Sequence, residues 1–129
     1  MTALTEQFFA ANGISDDDSF NIHLVLDESV INVIVHGYHD QAEHQIHVRL
    51  RRSDGEVTID IDDDGIAYNP LDAPAPRFDL PVEQRRIGGL GVHIVKTLAR
   101  TIDYRRENGR NHLRIVVNLG QDGAAASQP

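Results

Sequence analysis

Three glycines lead directly into an apolar, helix-patterned segment in the run Gly88-Gly89-Leu90-Gly91-Val92-His93-Ile94-Val95-Lys96. A glycine backbone can come close to a ligand, and a helix N-terminus presents free N–H groups and a partial positive charge. Together these features predict an anion site, most often for phosphate. A loop that merely needs flexible glycines is the alternative, since short glycine motifs also match by chance. The run is neither a P-loop, because no glycine precedes Lys96, nor a dinucleotide fingerprint, because Ile94 replaces the third glycine.

Glu28 and Asn32 stand four residues apart on a predicted helix, so they share one face of it, and His36 continues the row. Carboxylates and amides rarely lie on an otherwise apolar helix without a reason. One interpretation is that they hydrogen-bond to neighbouring backbone. The other is that Glu28 acts as a general base beside an amide oxygen of Asn32 that ligates Mg²⁺. This cation prefers oxygen ligands and often keeps few protein ligands beside phosphates and waters.

Four aspartates, Asp60, Asp62, Asp63 and Asp64, crowd the end of a predicted strand just before Gly65. One of these carboxylates, directed inward, would accept a hydrogen bond from the amino group of an adenine, and the glycine would let the chain pass close to the base. A solvated acidic turn is the alternative. A calcium loop is disfavoured because the EF-hand spacing and its closing glutamate are absent.

The elements that must position these residues follow from hydrophobic periodicity. Residues 4–11 predict a short first helix that ends near Asn12-Gly13. A second helix is expected to begin at an N-cap within residues 16–19 and to end at Gly37. Because it is apolar nearly all round, it is predicted to be central and largely buried.

Two hairpins are predicted around Asp54-Gly55 and Asn108-Gly109, each flanked by alternating apolar residues. The order helix, helix, strand, strand, long loop, helix, strand, strand predicts an α+β fold, a two-layer α/β sandwich with helices on one face of a mixed, mostly antiparallel sheet. One domain would cover residues 1–120, and residues 121–129 would form a flexible C-terminal tail. The loop at residues 66–87 carries four of the five prolines, which is typical of a functional lid or a disordered segment.

Composition excludes several classes of function. The 129 residues carry a formal charge of −8, which argues against DNA or RNA as a direct partner because phosphate backbones demand clustered cations. The absence of cysteine removes disulfides and thiolate metal sites. No apolar run reaches the roughly 20 residues of a membrane span, and the first residues lack the pattern of a secretory signal. A soluble cytoplasmic protein without a membrane partner is therefore expected.

The segment Glu28-Ser29-Val30-Ile31-Asn32-Val33-Ile34-Val35-His36-Gly37-Tyr38 resembles the N box of the GHKL (Bergerat-fold) ATPases. It is closest to the branch that contains bacterial anti-sigma factor serine/threonine kinases. Asp63-Asp64-Gly65, followed by Tyr68-Asn69-Pro70, resembles the G1 box of that branch, and residues 87–95 resemble its G2 box. Residues 104–113 resemble its closing hairpin. The four segments occur in the expected order and cover roughly residues 20–119.

The resemblance implies a role for each site residue. Glu28 would be the catalytic base and Asn32 the Mg²⁺ ligand, while Asp63, with Gly65 beside it, would recognise the adenine of ATP. The phosphates would be approached from the start of the third helix by Gly88, Gly89, Leu90, Gly91 and Val92.

Residues 66–87 would be the ATP lid. Its arginines, Arg77, Arg85 and Arg86, either neutralise phosphate charge or are ordinary solvated loop charges. The superfamily's threonine near adenine is missing, since Asn111-His112-Leu113 stands there, which puts one adenine contact in question. The opening strand that many relatives carry is not evident either.

The function implied is that of an ATP-binding regulatory protein resembling an anti-sigma factor serine/threonine kinase. It would transfer the γ-phosphoryl group of ATP·Mg²⁺ to a serine of an anti-sigma-factor antagonist, with a sigma factor as its other partner. The main alternative is a nucleotide-gated protein-binding module without phosphoryl transfer. The ATPase half of a sensor histidine kinase and a scaffold that binds no nucleotide are further alternatives, and a homodimer stays open.

Overall fold

The computed structural model describes residues 2–38, 43–72 and 89–120, which form three α-helices and four strands. The elements are α1 (Thr2–Ala11), α2 (Asp16–Gly37), β1 (His47–Ser53), β2 (Glu56–Asp63), a short 3₁₀ turn (Pro70–Asp72), α3 (Gly89–Leu98), β3 (Thr101–Glu107) and β4 (Arg110–Asn118). The predicted α+β fold and the predicted order of elements are confirmed. The greater part of the predicted lid, with its three arginines, and the predicted C-terminal tail lie outside the described residues.

The four strands form one sheet in the order β1-β2-β4-β3. The sheet was expected to be mixed and mostly antiparallel; all three pairs of described strands are antiparallel. Both predicted hairpin turns are present. Gly55 has a φ of 71°, and Asn108 and Gly109 have φ values of 52° and 74°, the left-handed conformation that such tight turns need.

The N-cap of α2 lies one residue before the predicted range of residues 16–19. Ser15 occupies the N-cap in an extended conformation, and its hydroxyl accepts a hydrogen bond from the backbone N–H of Asp18 at 3.1 Å. Three aspartates then fill the first turn, where negative charge is favourable. The helix ends at Gly37, as predicted.

The hydrophobic core lies between α2 and one face of the sheet. Its fully buried side chains include Ile22, Val25, Leu26, Ile59, Ile61 and Ile115, each at most 1% exposed. Phe9 of α1 and Val95 of α3 belong to the same cluster. The helices therefore cover one face of the sheet, as the two-layer prediction requires.

The prediction that α2 is central and largely buried holds only for the face that packs against the sheet and the other helices. Its outer face exposes Phe20, Ile31, Ile34 and Val35, with exposed fractions of 68, 51, 52 and 42%. The reason is architectural: in a two-layer fold a helix packs against the sheet and its helical neighbours on one side only. Among the described helices, none is long and apolar enough to cross a membrane.

Candidate nucleotide-binding site

Asp63, the last residue of β2, is the only buried member of the four aspartates singled out in the sequence. It is 3% exposed, and its Oδ1 accepts hydrogen bonds from the backbone N–H of Gly65 at 2.8 Å and from Asn111 Nδ2 at 2.9 Å. No donor from the described part of the chain contacts the other oxygen, Oδ2. The carboxylate is thus held by one oxygen and retains a second for a ligand.

The other three aspartates have different partners on the surface. Asp60 accepts from Arg114 Nε at 2.7 Å, and Asp62 makes a short contact with His112. Asp64 accepts from Tyr38 and also contacts His44. The inward direction predicted for one carboxylate of this cluster therefore belongs to Asp63, because side chains alternate along β2 and its odd-numbered residues face the core.

Gly65 is required by a close approach of two backbone segments. A Cβ atom on this residue would lie 2.6 Å from the carbonyl oxygen of Gly37, at the end of α2. The same carbonyl accepts a hydrogen bond from the N–H of Ile66 at 2.8 Å. The glycine therefore seats the C-terminus of α2 against the segment after β2, a requirement that the sequence motif did not reveal.

Glu28 and Asn32 lie on α2 beside the start of α3. Asn32 is buried, with 5% of its surface exposed, and Glu28 is half-buried at the edge of the helix. Glu28 Oε2 packs so closely against Gly91 that a Cβ there would lie 2.5 Å from it. The structure thus brings the candidate base next to the glycine run, although Glu28 and Gly91 are 63 positions apart in the chain.

Helix α3 begins at Gly89, so the glycine run does lead into a helix N-terminus. The first four N–H groups of an α-helix have no acceptor within it, which here leaves residues 89–92 with donors for an anion. Val92 is buried and lines the neighbouring pocket. Gly88 lies outside the described residues, and only the backbone of Gly89 and Leu90 is described.

A pocket runs between α2, α3 and the ends of β2, β3 and β4. Its lining includes Asn32, Val33, Asp63, Val92, Tyr104 and Leu113. The pocket has a volume of about 540 Å³ when the solvent at its open mouth is included. The centre of a water molecule can occupy only about 30 Å³ of that volume, so the pocket is narrow. A narrow, mainly apolar slot with a few polar groups suits a flat heterocycle that makes one polar contact at its edge.

Two stacked ring pairs lie at the end of α2, one with the segment after β2 and one with the segment before β1. The rings of His36 and Tyr68 lie 4.3 Å apart, and those of Tyr38 and His44 lie 4.0 Å apart. The Tyr38 hydroxyl donates to Asp64 Oδ1 at 2.9 Å. Burial, and then this hydrogen bond, raise the pKa of Tyr38 to about 12, and the same bond lowers the pKa of Asp64.

Asn111 is a site residue whose part the sequence analysis missed. It is 5% exposed and lies directly opposite Asp63 in the β2–β4 register. In the sequence it counted only as the position of a missing threonine. A signal was available, because Asn111 is in phase with the inward-facing apolar residues Leu113, Ile115 and Val117.

The fold and this site define an ATP-binding domain of the GHKL type. The chain matches the histidine kinase-like ATPase domain over residues 1–117, and it belongs to that family. The resemblance stated from the sequence is thereby confirmed.

The similar proteins include kinases and anti-sigma factors. The chain is 30% identical over 97 residues to a protein of Bordetella bronchiseptica named serine/threonine-protein kinase BtrW, a match that covers 75% of this chain and 68% of the relative. It is 29% identical over 111 residues to the anti-sigma F factor of Bacillus subtilis, covering 84% and 75% of the two chains. With the anti-sigma F factor of Oceanobacillus iheyensis it shares 30% identity over 88 residues, which is 67% of this chain and 60% of the relative.

Solved structures of histidine kinases have the same fold. The Erythrobacter litoralis EL346 blue-light activated histidine kinase superposes with a TM-score of 0.60 at 18% identity, over 86% of this chain. Acinetobacter baumannii histidine kinase AdeS gives 0.52 at 19% identity, over 80% of this chain. This chain spans 33% and 48% of those two longer proteins, so the similarity concerns the ATPase fold.

The residues present fit ATP, and they fit Mg²⁺ held largely by phosphates. The slot offers apolar walls and one available carboxylate oxygen, and the start of α3 offers backbone donors. No group of three or more His, Cys, Asp or Glu residues that could hold a metal occurs in the described ranges. Because Mg²⁺ usually takes few protein ligands beside phosphates and waters, the buried amide of Asn32 is a candidate to hold it.

Proposed function

We propose that this protein is an ATP-dependent regulator that phosphorylates a serine of an anti-sigma-factor antagonist and has a sigma factor as its second partner. The observation that supports it most directly is the contact between Glu28 Oε2 and Gly91 in the first turn of α3. A carboxylate beside the expected position of the phosphates is suited to act as a base there. The names of the similar proteins, a serine/threonine kinase and several anti-sigma F factors, support the same conclusion.

In this proposal the nucleotide lies with its base in the slot and its phosphates at the start of α3. Asp63 Oδ2 accepts a hydrogen bond from the adenine amino group. The N–H groups of residues 88–92 bind phosphate oxygens, with the glycines allowing close approach. The amide oxygen of Asn32 ligates Mg²⁺, which when bound neutralises charge on the phosphates.

The transfer itself needs one proton acceptor. The serine hydroxyl oxygen attacks the γ-phosphorus, the bond from that phosphorus to the β–γ bridging oxygen breaks, and ADP departs with the electron pair. Glu28 accepts the hydroxyl proton as the new bond forms. Positioning of the two reactants and neutralisation of charge supply most of the acceleration. The proposal places the protein in the cytoplasm, where ATP is available, with no direct contact to nucleic acid.

The proposal is tested with γ-labelled ATP and a purified antagonist protein. Glu28→Gln keeps the size of the side chain but cannot accept the proton, so transfer is expected to fall by about 10²–10⁴-fold while ATP binding stays close to that of the wild type. Asp27→Asn is the matched control. Asp27 is adjacent to Glu28 in the chain, but its Oδ2 lies 3.1 Å from Nδ1 of His23 on the outer face of the helix. This control should transfer phosphate normally. Unchanged transfer in Glu28→Gln would rule out the base assigned here.

A nucleotide-gated binding module is the second candidate, favoured by the several relatives that are named as factors and not as kinases. In that case the wild-type protein transfers no label to the antagonist, but its binding to a sigma factor still depends on ATP. The same labelled reaction, run beside a binding assay with and without ATP, distinguishes the two functions. Absence of ATP binding at millimolar concentration would refute both.

A further inference from the structure

Asn111 lies at the inner end of the slot, buried between β2, β3 and the segment after β2. Its amide makes four hydrogen bonds. Nδ2 donates to Asp63 Oδ1 at 2.9 Å and to the carbonyl oxygen of Ile66 at 3.0 Å. Oδ1 accepts from the hydroxyl of Tyr104 and from the backbone N–H of Tyr68 at 3.4 Å.

These four contacts determine how the amide is oriented. A primary amide has two hydrogens to donate and two lone pairs to accept with. Turning it over would place its oxygen against the acceptors Asp63 and Ile66, and its hydrogens against two donors. Only the observed orientation satisfies all four partners, and it leaves Asn111 no donor or acceptor for a ligand.

The fixed amide of Asn111 in turn constrains the carboxylate of Asp63, which lies opposite it. Oδ1 of Asp63 already accepts from Asn111 and from Gly65, so rotation of the carboxylate would break two buried hydrogen bonds. Oδ2 is the oxygen left for the slot, and as a carboxylate oxygen it can only accept. A purine with an amino group at position 6 offers it a donor, whereas a 6-oxopurine offers it another acceptor.

We propose, as an inference that rests on the proposed function, that Asn111 is a positioning residue. It sets the preference of the site for a 6-aminopurine over a 6-oxopurine. It does so by holding Asp63 in one orientation, without touching the base. It also ties the segment after β2 to the sheet, an attachment that Arg106 supports by donating to the carbonyl oxygen of Gly65 at 2.7 Å. The floor of the slot is therefore set before any nucleotide enters it.

The test compares ATP and GTP dissociation constants in two asparagine variants of β4. Asn111→Asp has the same shape but replaces a donor with an acceptor, so at pH 8 two carboxylates oppose each other. We expect ATP affinity to fall about tenfold or more and the GTP/ATP ratio of dissociation constants to fall with it. Asn118→Asp makes the same substitution at an exposed position of the same strand, and both constants should stay within about twofold of wild type.

The pH dependence separates a positioning role from simple packing. In Asn111→Asp, a proton shared by the two opposing carboxyl groups restores a donor between them as the pH is lowered, so part of the lost ATP affinity should return at acidic pH. Among the residues that the structure describes, Tyr38, Tyr104 and Arg106 also lie near this pair. His36, stacked on Tyr68, is present in every variant, so the wild-type pH profile is subtracted.

A second variant covers the case in which Asn111→Asp does not fold. Asn111→Ala removes all four hydrogen bonds without adding a charge, and it should also lower the GTP/ATP ratio. If the variants weaken ATP and GTP equally, or if Asn111→Asp binds both as the wild type does at pH 8, the inference is overturned. The wild-type ATP titration tests the proposed function separately, since its failure does not depend on any variant.

Discussion

Replacing Gly91 with alanine should separate the position of Glu28 from the stability of the fold. A Cβ on this residue would lie 2.5 Å from Glu28 Oε2, and ordinary van der Waals contact begins at 3.4 Å. The carboxylate must therefore retreat by about 0.9 Å, the difference between those two distances. The clashing atom is the far end of a flexible side chain, so the backbone can stay where it is.

The expected stability change is small because two terms oppose each other. Alanine in a helix is more favourable than glycine by about 0.5–1 kcal/mol. Forcing a side chain about 30° from its rotamer costs about 0.5–1.5 kcal/mol. The free energy of unfolding should thus change by less than about 1 kcal/mol. A misplacement of about 1 Å at a reacting group, in contrast, can reduce a rate about 10²-fold.

The assay measures thermal unfolding by circular dichroism, ATP binding, and phosphoryl transfer from labelled ATP, all on Gly91→Ala. Gly120→Ala is the matched control, because its Cβ would also meet a carboxylate oxygen, that of Asp18 at 2.9 Å. Asp18 accepts from the N–H of Gly120 with both oxygens, at 2.9 and 2.8 Å, so this control should lose stability and keep its transfer rate. If Gly91→Ala transferred the phosphoryl group at the wild-type rate, the position of Glu28 against α3 would have no bearing on the reaction.

Three further predictions concern the other end of the slot. Gly65→Ala should lower the free energy of unfolding by about 1–3 kcal/mol, because its Cβ would lie 2.6 Å from the backbone oxygen of Gly37, which no side-chain rotation can move; urea unfolding measures this, and an unchanged midpoint would contradict it. Asp63→Asn should lower the GTP/ATP ratio of dissociation constants because it adds a donor facing the base; the same ratio in wild type and variant would show that another group recognises the base. Tyr38 has its pKa raised to about 12 by burial and by its bond to Asp64, so its contribution to stability is complete below about pH 10 and is lost as the pH rises through 12. Tyr38→Phe should lose less stability than wild type between those pH values in chemical unfolding, and an equal loss would refute the assignment.

Local signals in the sequence predicted most of the fold. Both hairpins follow from Asp54-Gly55 and Asn108-Gly109, whose turn geometry depends on a few neighbouring residues. The ends of α2 follow from a capping residue and a terminal glycine, with Ser15 as the cap in place of the predicted residues 16–19. These features can be predicted from the sequence because they depend only on residues that are close together in the chain.

Burial was predicted less well than secondary structure. The apolar residues of α2 indicated a largely buried helix, yet Ile31 and Ile34 are about half exposed. Periodicity reports which side chains are apolar, and only the number of layers decides how many faces of a helix are covered.

The sequence by itself determined the residues of the candidate site and their order: Glu28 and Asn32 one helical turn apart, an aspartate followed by a glycine, and a glycine run leading into a helix. The resemblance to the GHKL ATPases had already singled out Asp63 among the four aspartates, whereas the tertiary structure alone decided that Gly65 is needed against the end of α2 and that Asn111 holds Asp63. The physical reason is that these properties depend on contacts between residues distant in the chain. Asp63 and Asn111 are 48 positions apart and meet only because β2 and β4 pair in one particular register.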